Sequence, residues 1–338
     1  MSKIVAAFGE VMMRLQVPGY ELLSQANTLN YSFSGTGVNV ISAITRFGHT
    51  GYLVSSLPAN AVGDAAVSYL RKLGVTQSYI IRGGKYVGMY FLESGFGSRP
   101  SRVTYSNRLE SSFNIASEGT YDFQRIAKEV DVVHFCGITL AMNDSVRQHM
   151  KNFARAVKDN GKIVVFDCNY RPSLWGVDGY EKAKSHYEEM LYLADIVMMN
   201  EKDAMFILGM KTEKDGRREQ LMDLIPAVAK KYMISVIAGT HRSINGDNSH
   251  SLQGFMFKDQ AFTFAKTLTF SVYDRIGAGD AYTSGIVHGE LEGFSPEKTV
   301  AFAATAAMLT HTIVGDTPMS SDHDILRAMT EPVGDVER

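Results

Sequence analysis

Short, continuous apolar runs alternate with helical patterns along most of the chain, and this alternation constrains the fold more than any other feature. The apolar runs lie at residues 4–8, 52–56, 130–135, 163–166, 196–199 and 234–237. The helical patterns between them lie at residues 38–47, 65–73, 144–158, 180–194 and 217–231. Apolar strands separated by helices are typical of a mainly parallel, doubly wound α/β sheet with helices on both faces. Ligands of such sheets bind beyond the carboxyl ends of the strands.

Two segments interrupt this rhythm. Residues 11–33 and 85–105 are rich in Tyr, Met, Thr and Val and alternate in a way typical of antiparallel strands. We expect them to form one small β-sheet that acts as a lid and excludes water from a site below it. An edge extension of the main sheet is the alternative. The predicted domains are a core of residues 1–10, 34–84 and 109–338 and a discontinuous lid of residues 11–33 and 85–108.

Composition and charge exclude several classes of protein. The 338 residues are 45% apolar and 21% charged, which is typical of a folded globular chain. The net charge of −2 argues neither for nor against a partner, but no basic stripe stands out, so we expect no nucleic-acid partner. An apolar run near the start is interrupted by Glu10, which argues against a signal peptide, and residues 299–315 are predicted to form a buried helix. We therefore expect no membrane segment.

The two cysteines, Cys136 and Cys168, lie in apolar, strand-like runs. Buried cysteines of this kind are usually free thiols that pack as small hydrophobic residues. Free thiols indicate a reducing compartment, so we expect a cytoplasmic location.

The run DRIGAGDAYTSG at residues 274–285 places small residues directly before a carboxylate at a predicted helix start. Gly277, Ala278 and Gly279 carry almost no side chain, so their backbone N–H groups could converge on an anion at the positive end of the helix dipole. Asp280 would lie at the mouth of this cradle, where a carboxylate suits a general base for an attacking hydroxyl. A tight turn with an Asp N-cap is the alternative interpretation.

This run resembles the C-terminal signature of the PfkB/ribokinase family of sugar and nucleoside kinases. The resemblance extends over roughly residues 5–326. It implies a ribokinase-like doubly wound core with a small β-sheet lid, ATP as the phosphoryl donor and Mg²⁺ as the metal. It also implies that Asp280 is the catalytic base and that residues 277–279 form the anion hole.

A second glycine-containing segment, Ser34-Gly35-Thr36-Gly37, precedes a predicted amphipathic helix. The dinucleotide-binding fingerprint is not met, because Val40 stands where its third glycine should be. A plain turn before a helix is one interpretation. The segment also resembles the N-terminal motif of the PfkB family, which implies that Gly35 and Asn39 line the sugar site. Ser34 replaces the first glycine of that motif.

Arg171 follows the apolar run 163–166 within the sequence DCNYRP. An arginine at the carboxyl end of a strand can present its planar fork to a carboxylate or phosphate, although a solvated surface arginine is the simpler interpretation. The pattern D-x-N-x-R-x-x-L-W resembles the 2-keto-3-deoxygluconate kinase branch of the family. That resemblance implies that Arg171 lies near the substrate and the transferred phosphate, and that Asn169 belongs to the ATP site.

Four further residues match the substrate contacts of that branch. Tyr90 resembles the tyrosine of the lid strand, Tyr105 and Arg108 resemble the pair that binds the acid end of the substrate, and Asp316 resembles the aspartate that binds a sugar hydroxyl. From the residues alone, Tyr90 fits a packed aromatic, Arg108 a solvated loop residue, and Asp316 a turn after a helix.

The nucleotide side of the site is implied by shorter matches. Asn200 and Asp203 resemble the family motif N-x-x-E, which implies that Asp203 acts on Mg²⁺ through water; capping of the next helix by Asn200 is the alternative. Gly239 and Thr240 resemble a turn of the ATP site. Ala304 lies in an alanine-rich stretch that resembles the adenine wall.

We therefore predict ATP-dependent phosphorylation of a sugar acid, with 2-keto-3-deoxygluconate converted to its 6-phosphate. A kinase for a neutral sugar or nucleoside, and a catalytically silent sugar- or nucleotide-binding protein, are the alternatives. The residues do not distinguish the gluconate from the galactonate epimer. Because a lid sheet with exposed apolar residues commonly needs covering, we also predict a homodimer formed through the lid.

Overall fold

A computed structural model describes residues 2–330 and contains a large sheet between two layers of helices, together with a separate small sheet. The strands, in chain order, are β1 Ile4–Phe8, β2 Met12–Gln16, β3 Asn30–Ser34, β4 Thr50–Leu57, β5 Ile80–Arg82, β6 Gly88–Glu93, β7 Arg102–Ser106, β8 Val132–Cys136, β9 Ile163–Asp167, β10 Ile196–Met198, β11 Val236–Ile244, β12 His250–Lys258, β13 Ala261–Phe264 and β14 Leu268–Phe270. The helices are α1 Thr36–Arg46, α2 Ala61–Lys72, α3 Phe123–Glu129, α4 Gly137–Leu140, α5 Asp144–Asp159, α6 Pro172–Trp175, α7 Gly179–Leu193, α8 Arg217–Tyr232, α9 Ala278–Leu291, α10 Pro296–Thr310 and α11 Asp322–Thr330, with a short π-helix at Asp203–Ile207.

The large sheet is parallel over most of its width. Its order is β5-β4-β1-β8-β9-β10-β11, with every neighbouring pair parallel, and β12 and β13 continue it as antiparallel strands at one edge. The chain moves from β1 to one side through β4 and β5 and then to the other side through β8. This reversal is the doubly wound arrangement that the apolar runs predict, and it brings the carboxyl ends of the parallel strands to one edge of the sheet.

Two hydrophobic cores lie on the two faces of the large sheet. Strand β1 shows how one sequence serves both: Val5 and Ala7 pack into the core under α1, α9 and α10, whereas Ala6 and Phe8 pack into the core under α5, α7 and α8. Successive side chains of a strand point to opposite faces, so a strand covered on both sides must be apolar throughout. This is why the strands appear in the sequence as continuous apolar runs.

The small sheet has the order β3-β2-β6-β7 and is separate from the large one, so the edge-extension interpretation is wrong. Our expectation of antiparallel strands holds for its outer pairs, but its central pair, β2 with β6, is parallel. Parallel strands need a crossover connection. The core elements α1, β4, α2 and β5 provide it, because they lie between the two lid segments in the chain. The use of this sheet as a lid stays a prediction.

The helix predicted over residues 299–315 begins earlier, at Pro296, and ends at Thr310. Across residues 2–330, the helices are too short or too polar to cross a membrane. Cys136 and Cys168 are both buried and free.

Candidate active site

A cavity of about 910 Å³ opens at the carboxyl ends of β9, β10 and β11 and is covered on one side by the small sheet. The first turn of α9 lies at its floor. The cavity wall brings together most of the residues predicted from the sequence, namely Gly35, Asn39, Tyr90, Tyr105, Asn169, Arg171, Asn200, Asp203, Gly239, Thr240, Gly277, Gly279, Asp280 and Asp316.

The glycines before Asp280 shape the start of α9. Gly277 precedes the first helical residue and has φ 84°, a left-handed conformation that favours glycine. A Cβ at Gly277 would lie 1.7 Å from the carbonyl oxygen of Asp316, whereas a Cβ at Gly279 would meet no atom within 4 Å. Asp280 lies inside the first turn, so the N-cap interpretation of this residue is wrong. Gly277 is therefore required by the fold, and Gly279 leaves the cavity side of the helix start open.

Asp280 is a buried carboxyl group at the cavity floor, 8% exposed. Burial raises its pKa well above the ordinary value for aspartate. The side-chain amide of Asn39 donates a hydrogen bond of 2.7 Å to Asp280 Oδ2, which opposes this rise, while the nearby carboxylates of Asp167 and Asp316 add to it. A carboxylate with increased proton affinity suits a general base near neutral pH.

Two further carboxyl groups surround the cavity floor. Burial raises the pKa of Asp167, at the end of β9, to about 7, and that of Asp203, at the start of the π-helix, to about 6. The backbone N–H of Asn200 donates to Asp203 Oδ2 at 2.8 Å, and Asn200 Oδ1 accepts from the backbone N–H of Lys202 at 2.9 Å. Asn200 therefore caps this turn, as the alternative interpretation predicted, while Asp203 still faces the cavity.

Arg14 of β2, which sequence reasoning missed, connects the small sheet to the core. Its guanidinium lies 3.0 Å from Asp274 and 3.1 Å from Asp316, and its side chain is 1% exposed. Tyr90 donates to Asp316 Oδ2 at 2.9 Å, and the hydroxyls of Tyr90 and Ser34 are also 2.9 Å apart. Ser34 thus provides a polar partner where the family pattern has a glycine. A signal for Arg14 was present, because a charged residue stands between apolar positions of a predicted strand.

Arg108 lies apart from the other predicted residues. Its Nε donates to Glu10 Oε2 at 2.7 Å, and its guanidinium lies 4.8 Å from the ring centre of Tyr105. Arg108 lines a recess of about 40 Å³ next to the main cavity. Gly35 and Tyr105 line both the recess and the cavity. The interpretation of Arg108 as a solvated loop residue is wrong, because its side chain is buried. The structure pairs Arg108 with Glu10 rather than exposing it on the cavity wall.

Two predicted residues, Ala278 and Ala304, do not contribute to the cavity wall. Ala304 is fully buried within α10, and only the backbone of Ala278 has a predicted role. Sequence reasoning missed the cationic residues on the wall, which are Lys202, Arg242 and Arg275. Arg275 lies next to Asp274 inside the glycine-containing run 274–285, so its position in the sequence could have predicted that it lines the cavity.

Comparison with known proteins agrees with this geometry. The profile of the pfkB family carbohydrate kinases matches residues 2–323. A crystal structure of a protein from Enterococcus faecalis, described as a candidate 2-keto-3-deoxygluconate kinase, is 36% identical with a TM-score of 0.95 and covers 100% of this chain and 99% of that one. The 2-dehydro-3-deoxygluconokinase of Thermotoga maritima is 31% identical with a TM-score of 0.92 and covers 97% and 100%.

A curated relative, the 2-dehydro-3-deoxygalactonokinase of Haloferax volcanii, is 25% identical over 329 residues, which is 97% of each chain. The predicted ribokinase-like fold and the resemblance to 2-keto-3-deoxygluconate kinases are confirmed by these matches. A glycine-flanked, buried aspartate at a helix start, beneath a small sheet, is what this family signature predicts. The chain belongs to the pfkB family of carbohydrate kinases.

Proposed function

We propose that this carbohydrate kinase transfers the γ-phosphoryl group of ATP to the primary hydroxyl of 2-keto-3-deoxygluconate and releases the 6-phosphate. The observation that carries the proposal is the Asp280 carboxyl, which is buried at the floor of the cavity with a raised pKa and lies beside the open start of α9. The similarity to 2-keto-3-deoxygluconate kinases supports the choice of substrate.

In the proposed reaction, Asp280 takes the proton of the primary hydroxyl as that oxygen attacks the phosphorus in line, and the bond from phosphorus to the β,γ-bridging oxygen breaks. The backbone N–H groups of residues 277–279 and the positive end of α9 stabilise the negative charge on the transferred group. Asn39 holds the Asp280 carboxyl in position through its hydrogen bond.

The acidic wall fits Mg²⁺, because Asp167 and Asp203 offer carboxylate oxygens, the ligands that this hard cation prefers. The charge of Asp203 adds to the raised pKa of Asp167, and a cation between the two would reverse this effect. Asp203 would hold the ion through water. When bound with ATP, Mg²⁺ neutralises charge on the phosphates.

Arg171 is the proposed partner of the acid substrate and of the transferred phosphate. Its side chain is exposed at the cavity wall and donates a long hydrogen bond of 3.5 Å to the neighbouring Tyr170 carbonyl, and its positive charge opposes the rise in pKa of Asp167, Asp203 and Asp280. An exposed guanidinium at this wall can bind an incoming anion. Arg108 with Tyr105, Tyr90 with Asp316, and Gly35 stay proposed substrate contacts.

Residues Asn169, Asn200, Gly239 and Thr240 are proposed to contact ATP. A Cβ at Gly239 would lie 2.6 Å from the Met199 carbonyl oxygen, so the packing of β11 against the end of β10 requires glycine at this position of the cavity wall. A contact of Ala304 with adenine stays a prediction, as does a cytoplasmic location.

The small sheet is proposed to act as a lid and to pair with its copy in a homodimer. Its outer face, opposite to Tyr90 and Tyr105, exposes the apolar ring of Tyr31, which is 64% exposed. Burial of this face against a second copy would remove apolar surface from water. A mass of one chain by light scattering at working concentration would contradict the dimer.

A phosphorylation screen tests the proposed function. The chain is supplied with ATP and either 2-keto-3-deoxygluconate, its galactonate epimer, or a neutral sugar or nucleoside, with and without Mg²⁺, and ADP release and the phosphorylated position are measured. We expect the sugar acids to give the largest kcat/KM, with phosphate on the primary hydroxyl and dependence on the metal. Higher rates with neutral substrates would replace the proposed substrate, and no ADP release with any substrate would indicate a silent binding protein.

A further inference from the structure

A cluster of metal-ligating side chains lies outside the active-site cavity, at the far end of α9. His288 belongs to the last turn of α9, Glu292 follows one turn later, and His49 lies just before β4. Both histidines are buried, whereas 41% of the Glu292 side chain is exposed. Positions i and i+4 of a helix share one face, so His288 and Glu292 project towards His49 together.

The distances within the cluster match those between ligands of one small cation. His49 Nε2 lies 3.0 Å from His288 Nδ1 and 3.8 Å from Glu292 Oε1, and the three ligand atoms lie within 4.8 Å of one another. Ligands at about 2.0–2.2 Å in tetrahedral geometry are separated by similar distances. Two imidazoles and a carboxylate at these separations can therefore bind one ion without large movements.

A fourth residue orients the histidine that lies deepest in the cluster. Asp322, at the start of α11, accepts a hydrogen bond of 3.0 Å from His288 Nε2. This contact keeps the proton of His288 on Nε2 and directs the Nδ1 lone pair towards His49. A carboxylate on the second nitrogen of a ligating histidine is the usual outer-shell partner of protein zinc sites. The aromatic rings of Phe47 and Phe302 pack against His288 and limit access of water.

The hydrogen bonds of the two rings determine which nitrogen of each is free to bind a metal. In the metal-free cluster, His49 Nε2 carries the proton that is shared with His288. Metal binding moves this proton to Nδ1 of the same ring, at the expense of the long contact of 3.4 Å in which the backbone N–H of Lys3 donates to Nδ1.

We propose that His49, His288 and Glu292, supported by Asp322, form a binding site for a divalent transition ion of the zinc class, with water as the fourth ligand. Two imidazole nitrogens and one carboxylate oxygen are a donor set for such ions rather than for Mg²⁺, which prefers oxygen ligands. The half-exposed Glu292 provides the entry path.

The site is separate from the reacting groups. Asp280 and His288 are eight positions apart on α9, which corresponds to about 12 Å along the helix axis. The ion would join the end of α9 to the start of α11 and to the turn before β4. Its expected role is therefore to stabilise the packing of these elements, and its binding should be measurable without any substrate.

The test uses the full chain without a histidine tag. Co²⁺ replaces Zn²⁺ as a spectroscopic probe, because a tetrahedral site with nitrogen and oxygen ligands gives a visible absorption band, and Zn²⁺ is then titrated against the bound Co²⁺. We expect saturation at one ion per chain, displacement of Co²⁺ by Zn²⁺, and a Tm that rises with zinc concentration. The absence of a saturable band at one ion per chain would overturn the proposal.

Variants identify the ligands. Glu292→Gln changes a half-exposed side chain and leaves the core packed, so it separates loss of a ligand from loss of folding. Asp322→Asn should weaken zinc binding by about 10- to 100-fold, and Glu292→Gln and His49→Gln should weaken it by at least as much. His323→Gln removes a neighbouring exposed histidine of α11 and should leave the affinity unchanged. Unchanged affinity in Glu292→Gln, or loss in His323→Gln, would place the ion elsewhere and overturn the proposal.

Discussion

Two carboxylates at the end of β10, only two positions apart, have opposite electrostatic environments. Glu201 is fully buried and pairs with Arg217 Nε at 2.7 Å and with His241 Nε2 at 2.8 Å. Burial alone would raise its pKa, but these hydrogen bonds outweigh burial and lower the pKa to about 2. Asp203 receives a backbone N–H, and burial raises its pKa to about 6.

The difference shows that the partner, rather than burial, decides the charge state of a carboxyl group here. Glu201 has strong hydrogen-bond donors within the fold, so it stabilises the fold. Asp203, Asp167 and Asp280 face the cavity, where burial outweighs the charge of Arg171 and keeps their pKa values raised, so they are the carboxyl groups on which a bound ligand can act. Substitution of the two kinds of carboxylate should therefore affect different measurements.

The largest expected effect is on catalysis. Asp280→Asn removes the proposed base and should decrease kcat by about 100- to 10,000-fold. The Tm should stay the same or rise, because a buried carboxyl group is replaced by a neutral amide of the same shape. Steady-state kinetics and thermal unfolding of the same preparation check both effects. A kcat close to that of the wild type would remove Asp280 from its proposed role.

The matched substitution of the paired carboxylate is Glu201→Gln. It leaves Arg217 and His241 without their charged partner and should decrease the free energy of unfolding by about 2 kcal/mol. Because the folded-state pKa of Glu201 is lowered, its contribution is present at neutral pH and is lost progressively as pH falls from about 5 to about 2.

Denaturant unfolding of both proteins at several pH values measures this difference. The gap between the wild type and Glu201→Gln should narrow in acid. If the two proteins were equally stable at pH 7, the pairing of Glu201 would not stabilise the folded state, and the proposed difference between Glu201 and Asp203 would be wrong.

A smaller effect concerns the metal requirement. As pH falls through about 6, Asp203 becomes protonated, so the Mg²⁺ concentration for half-maximal rate should rise by roughly twofold between pH 8 and pH 6 and by roughly tenfold at pH 5. ATP itself binds Mg²⁺ less well in acid, so the comparison is made with Asp203→Asn at each pH. The pH dependence should be weaker in this variant, and identical curves for the two proteins would exclude Asp203 from the metal site.

The smallest effect concerns Asp316. Its environment is intermediate between those of Glu201 and Asp203, because Asp316 has partners in the fold and also faces the cavity. Tyr90→Phe removes one of these partners, the hydroxyl that donates to Asp316. We expect a loss of about 1 kcal/mol in the free energy of unfolding and a higher KM for the sugar acid, with Arg14 still in place. An unchanged KM would indicate that Asp316 does not depend on Tyr90 for its position.

The sequence alone predicted the features that depend on residues close together in the chain. Apolar runs such as residues 163–166 predicted the strands of the large sheet, and the glycine signature predicted the start of α9 next to Asp280. Contacts between distant parts of the chain could not be read in this way. Arg14 and Asp274 are 260 positions apart, and Arg108 meets Glu10 from 98 positions away. No local pattern encodes such a pairing, so Arg14 was missed, and the contact of Arg108 with Glu10 was not foreseen beside its predicted role at the acid end of the substrate.

The parallel pairing of β2 with β6 also has a consequence for the order of folding. The two strands can meet only after the chain between them, which contains α1, β4, α2 and β5, has found its place on the large sheet, since a long flexible loop closes at an entropic cost. When the full chain refolds, the amides of β2 should thus stay unprotected after those of β1 have become protected, and pulsed hydrogen exchange during refolding can detect this delay. The proposed lid would then be the last element to form, and an early folding intermediate would have the proposed base in place but no cover over it.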